Sequence, residues 1–259
     1  GQERSRKMTC VRDVYAYIDS LAPFATAMEF DNAGLLVGNG KENVTKGLLS
    51  LDITPQAVER AEEIGAQLII SHHPVIFSPL RRLSPESVPY RLVESGVAAI
   101  CAHTNLDMAA LGVNHCLAER LSLQNIHGVS EYAPGASILW EGDLPSPMAP
   151  KAFALYVKER LGCEAVELAA GRDHIKRVAL CSGAGAEYMA EVEDAQAFLT
   201  GEAKHHEWLA AHEKGVTLVV AGHYSTEAVV LEPLAALLRE RFEQVEWTVF
   251  TGEPPMRFL

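Results

Sequence analysis

Several absences narrow the reading of this chain. No apolar run in its 259 residues approaches the ~18 that a membrane-spanning helix needs. The five cysteines (Cys10, Cys101, Cys116, Cys163, Cys181) are scattered, odd in number and form no C-x-x-C. That excludes a disulfide framework, fits reduced thiols packed as small apolar groups, and makes a cytoplasmic location the expectation. Basic residues are scarce, 22 Lys and Arg against 34 Asp and Glu, for a formal net charge of −12. This argues against a general electrostatic grip on nucleic acid or an anionic membrane. It leaves open an anionic small-molecule substrate, because bound divalent cations would reverse the local field. No apolar stretch of signal-peptide type opens the chain, so no secretory signal is expected. The polar run Gly1 to Lys7 reads as a tag remnant or disordered extension ahead of a natural start at Met8. Ser71 lies in no G-x-S-x-G elbow, and Ser182-Gly183-Ala184-Gly185 lacks P-loop spacing, so it reads as a tight turn.

What is present is a soluble, globular composition, 48% hydrophobic and 22% charged, with length for one large or two modest domains. Apolar stretches of strand character alternate with helical periodicity in both halves, which predicts an α/β fold with largely parallel sheets. Val14, Ile18 and Leu21 fall at helical spacing, and Thr54-Pro55 reads as a cap with proline at the first helical position. The Gly-, Pro- and Ser-rich stretch from Glu131 to Pro150 is the expected boundary, dividing the chain into 8–130 and 131–259. The last strands are allowed to return to the first half. Helices are expected at 109–121, between Gly185 and Ala197, and at 228–242.

The chemistry concentrates at strand ends. Leu68-Ile69-Ile70-Ser71 runs into His72-His73-Pro74, Val97 to Ala102 into His103-Thr104-Asn105-Leu106-Asp107, and Thr217 to Gly222 into His223-Tyr224-Ser225-Thr226-Glu227. In open α/β sheets, sites form beyond the carboxyl ends of strands. Adjacent histidines within a strand would face opposite ways, but at a strand end both can swing to one cavity. His103/Asp107 and His223/Glu227 are spaced i, i+4, which puts each pair on one face if a helix begins within the motif. Imidazole with carboxylate suits zinc, manganese, iron, cobalt or nickel. The donors outnumber those of a closed mononuclear zinc site, so a dinuclear centre is the natural expectation. Such ions lower the pKa of water and stabilise an oxyanion, the machinery of hydrolysis. A single strand-end histidine would read as a structural hydrogen-bonding group; the recurrence favours metal. His205 and His206, beside Lys204 and Glu207, read as a solvated helix face. Asp31 and Asn32 before Gly34 read first as a self-bonded turn. Glu202, after Thr200-Gly201, stands open between helix capping and site work.

Asp31-Asn32-Ala33-Gly34-Leu35, Ser71-His72-His73-Pro74, His103-Thr104-Asn105-Leu106-Asp107, Thr200-Gly201-Glu202 and Gly222-His223-Tyr224-Ser225-Thr226-Glu227 together resemble the Nif-three-like family, also described as GTP cyclohydrolase I type 2-like. The resemblance runs from about Val11 to the C-terminus. It implies two related α/β domains with a dinuclear metal site between them, in a toroidal homo-hexamer. Carried over motif by motif, the metal ligands are His72, His73, Asp107, His223 and Glu227, with Glu227 the bridge. His103 falls close to the metals, as a further ligand or an orienting group. His103 and Glu227 are the candidate catalytic residues, and Asn32 and Glu202 the candidates for contacting substrate. This chain has no room for the inserted domain of some longer relatives, and its 186–197 segment looks trimmed. The implied function is metal-dependent hydrolysis, of a purine nucleotide such as GTP with release of formate, or of a phosphate ester. The alternative is a non-catalytic oligomeric metal-binding scaffold or regulatory protein.

Overall fold

The structure is a computed structural model describing residues 7–259; the expected extension, apart from Lys7, lies outside the described residues. The chain divides into two units. The first runs through Asn105 and resumes at Leu231–Gly252, and the second comprises Leu106–Val230 and Glu253–Leu259.

The first unit contains α1 (Val11–Leu21), β1 (Gly34–Val37), β2 (Lys46–Ser50), α2 (Pro55–Ile64), β3 (Leu68–Ser71), α3 (Val88–Glu94) and β4 (Ala98–Cys101). Its sheet is ordered β1-β4-β3-β2 and then a final strand supplied by the chain's return. β2, β3 and β4 are parallel, while β1 runs antiparallel to β4. These strands are near-continuous apolar runs because both sheet faces are covered. Local chemistry sets the helix ends: the Thr54 hydroxyl accepts from Ala57 N at 3.1 Å, and Gly65 closes α2 at φ 71°. Ala57, Val58 and Ala61 of α2 pack with Leu48, Ile69 and Leu92 in the core of this unit.

α4 (Thr104–Met108) straddles the division, and the second unit continues with α5 (Val113–Arg120), β5 (Gln124–Gly128), β6 (Glu131–Ala133), β7 (Ala136–Ser137), β8 (Trp140–Met148), α6 (Pro150–Leu161), β9 (Glu167–Ala169), β10 (Ile175–Cys181), β11 (Ala197–Thr200), α7 (His205–Lys214), β12 (Thr217–Val220) and α8 (His223–Glu227). Its sheet is ordered β5-β8-β10-β11-β12-β9, with β10, β11 and β12 parallel. Phe198, Leu218, Val192 and Ala211 anchor its core. α9 (Leu231–Arg241) then returns the chain to the first unit, where β13 (Glu246–Phe250) pairs in parallel with β2.

Several expectations need correcting. The stretch from Glu131 to Pro150 is not where the units part. It forms β6, β7 and β8, and the division falls inside α4. The helix expected over 109–121 starts only at Val113, because Gly112 sits against the preceding turn; a Cβ there would lie 1.8 Å from Leu106 O. The segment before β11 is a short 3₁₀ turn, Ala186–Glu191, and the expected 228–242 helix is a 3₁₀ turn leading into α9.

Candidate metal centre

In the first unit the register of two strands builds the site. Ser50 of β2 and Ser71 of β3 are partners across the parallel pair. Each hydroxyl turns back to the carbonyl two residues on, Ser50 to Asp52 O and Ser71 to His73 O, both at 2.7 Å. The backbone N–H groups of His72 and His73 both donate to Leu51 O, at 3.2 and 2.9 Å. The ladder therefore ends here, and the two adjacent histidines escape the alternation that a strand would impose. Their rings lie 5.1 Å apart between centroids, and His103, beyond the end of β4, stands 5.3 and 5.6 Å from them. One nitrogen from each of the three lies within 4.8 Å of the other two.

All three rings are held from behind at Nδ1. His72 Nδ1 meets Ala102 O at 2.8 Å, His73 Nδ1 meets Asp52 Oδ1 at 2.7 Å, and His103 Nδ1 meets Asp31 Oδ1 at 2.8 Å. Asp31 also accepts from Thr104 N and Oγ1, at 2.9 and 2.6 Å. Burial pushes the Asp31 carboxyl up, but the bonds from His103 and Thr104 outweigh it and hold the group well below the usual carboxylate range. Asn32 is engaged with the backbone, its Nδ2 donating to Ile76 O at 2.6 Å.

In the second unit α8 opens at His223 and closes at Glu227, which puts both on one face. His223 Nε2 contacts Glu227 Oε1, and His223 Nδ1 lies 3.1 Å from Glu202 Oε1, so Glu202 backs the imidazole from the end of β11. Glu227 is only 3% exposed. Its carboxylate lies against Gly183, where an added Cβ would stand 3.2 Å from the carboxyl carbon, and Gly183 adopts φ 61°. The glycine turn is thus a tight turn, as expected, and it also borders Glu227. Asp107 sits in α4, whose end Asn114 fixes. Asn114 Nδ2 donates to Asp107 O at 3.0 Å, and its Oδ1 accepts from Ser182 N at 2.8 Å. His205 and His206 are exposed on α7, as a solvated face requires.

The donor set fits a divalent metal. Three imidazoles converge in one unit, and a histidine and two carboxylates stand on short helices at strand ends in the other. Sequence reasoning missed Asp52. The self-bonded turn it expected at Asp31 is there, Asn32 N donating to Asp31 Oδ1 at 2.7 Å, but the bonds that tie Asp31 to His103 and Thr104 were not foreseen. The signal for both was their place directly after an apolar strand or before a glycine, with no hint of which histidine each would meet.

An α/β protein with imidazoles and carboxylates gathered at strand ends is thereby defined. Residues 9–255 match the family described as Duf34/NIF3 (NGG1p interacting factor 3), and the chain belongs to that family. A GTP cyclohydrolase 1 type 2 homolog of Clostridium perfringens is 29% identical over 260 residues, spanning 96% of this chain and 99% of the relative. Another so named, from Campylobacter jejuni, is 29% identical and spans 92% of this chain and 95% of the relative. The crystal structure of Staphylococcus aureus protein SA1388 superposes with a TM-score of 0.91 at 28% identity, covering 97% of this chain and 99% of that one.

Proposed function

We propose that this protein is a divalent-metal-dependent hydrolase with a dinuclear centre, acting on a purine nucleotide with release of formate. The observation that carries the reading is the cluster of His72, His73 and His103, whose donor nitrogens lie within 4.8 Å of one another beyond the ends of two parallel strands. The name GTP cyclohydrolase 1 type 2 homolog, borne by relatives over nearly their whole length, supports the substrate class. In this reading His72, His73 and His103 hold metal from the first unit, and Asp107, His223 and Glu227 from the second. When bound, the ions supply Lewis acidity that makes water a nucleophile near neutral pH and offsets charge developing on the substrate. Glu227, buried beside His223, takes up and returns the proton of the attacking water. His103 keeps its ring orientation through Asp31 and would hold its metal through Nε2, beside the reacting groups. The same reading makes the protein a cytoplasmic toroidal homo-hexamer.

The test is formate release from GTP by protein loaded with manganese or zinc, beside Glu227→Gln. Metal-dependent formate release that falls at least ~100-fold in the variant is the expected result. Equal rates in parent and variant would remove Glu227 from the chemistry. A metal-loaded parent that releases no formate from GTP overturns the proposed substrate, leaving phosphate esters or a non-catalytic metal-binding scaffold.

A further inference from the structure

We infer that Asp52 and Asp31 are positioning residues that hold His73 and His103 with Nδ1 protonated, and so assign Nε2 as the ligating nitrogen of each. The inference rests on the metal-binding reading above and adds to it which groups outside the ligand set decide how the ligands are presented.

A neutral imidazole carries one N–H, and an acceptor placed at one ring nitrogen selects the tautomer that puts the lone pair on the other. Carboxylate oxygens occupy the Nδ1 side of both rings, Asp52 Oδ1 at 2.7 Å from His73 and Asp31 Oδ1 at 2.8 Å from His103. His223 is outside the assignment, because it meets carboxylates at both nitrogens, Glu202 at Nδ1 and Glu227 at Nε2. A carboxylate in that position also raises the basicity of the far nitrogen, which strengthens it as a ligand.

The placement of Asp52 is built by the strand register. Ser50 and Ser71 are cross-strand partners, and their hydroxyls fix the carbonyls of Asp52 and His73 in matching turns. This presents the carboxylate beside the ring. Asp52 contributes little to a core, its side chain being 53% exposed. A purely structural role is therefore a poor account of it. Asp31 is different, since it also anchors Thr104 from a fully buried side chain. Its removal would disturb more than the His103 ring, so the test uses the exposed Asp52.

The experiment has two readouts. Long-range ¹H–¹⁵N NMR of metal-free protein at pH 8 reports the tautomer of His73. Cobalt(II) titration, followed by its visible absorption, reports metal affinity. The Nδ1–H form is expected in the parent. Asp52→Ala should shift His73 towards the Nε2–H form and weaken cobalt binding by roughly 10- to 100-fold. Asp52→Asn keeps an oxygen acceptor without its charge, so it should restore the tautomer and part of the affinity. The unfolding midpoint of each metal-free variant should match the parent's. An Nε2–H form at His73 in the parent, or unchanged cobalt affinity in Asp52→Ala, overturns the inference. A parent that binds no cobalt overturns the metal reading and this inference with it. The NMR readout, which needs no metal, separates that failure from a failure of Asp52 alone.

Discussion

Burial pushes the acidic groups Asp31, Cys116 and Cys181 the same way, towards the neutral form, and hydrogen bonding decides the outcome. Asp31 is buried but accepts from His103 and Thr104, and it stays ionised. Cys116 and Cys181 are buried without such donors. Burial, helped by the charge of Glu119, pushes the Cys116 thiol up to about 12. Burial together with Asp107 and Glu227 raises Cys181 well above the usual thiol range. At pH 8 the Cys116 thiol is thiolate to only roughly one part in ten thousand, and Cys181 is likewise held as the thiol. Both cysteines should therefore resist a thiol-directed alkylating reagent in the folded protein and react on unfolding, as peptide mapping by mass spectrometry would show. Rapid labelling of either in folded protein would contradict the packing described. The limits of sequence reading are also visible at this scale. His72, His73, His103 and His223 were legible because imidazole recurs after apolar runs. Of the carboxylates behind them, the pairings of Asp31 and Asp52 were not, since Asp31 meets a ring 72 residues away and Asp52 one 21 residues away. Only strand pairing brings those residues together.

Among the elements, β13 shows how one missing side chain seats a strand. Trp247 stands opposite Gly47 in the β2–β13 pair, and the indole fills the space a side chain would take. A Cβ on Gly47 would lie 2.3 Å from Trp247 Cζ3. Gly47→Ala should force the ring or the strand outward and cost about 1–3 kcal/mol, read as a lower urea midpoint with red-shifted tryptophan emission. An unchanged midpoint would mean that the ring does not occupy that space. The parallel strands β2, β3, β4, β11 and β12 were legible as apolar runs, because strands covered on both faces need no alternation. The meander from β5 to β8 was not. β5 is largely exposed, and β8 carries Pro145 and Pro147, so its sequence reads as a linker. Helix boundaries failed where packing overrides periodicity, as at Gly112, where a side chain would run into Leu106 O.

At the scale of the whole molecule, the order of motifs along the chain carried more than composition did. Among the described residues, no helix is long and apolar enough to cross a membrane. The alternation of strands and helices in both halves was enough to place the fold class, and the elements observed and the superposition on SA1388 agree with it. The division of the chain was hidden, because it falls within a single short helix, α4, where no glycine or proline marks a break. The central claim concerns the donors that these two units carry. Its most direct test is metal analysis of purified, reloaded protein beside His73→Ala and Glu227→Ala, with circular dichroism confirming that each variant is folded. About two equivalents per chain in the parent, the count of a dinuclear centre, with a clear loss in both variants, is the predicted result. A parent that holds no metal after reloading, or variants that retain the parent's full complement, would contradict the account.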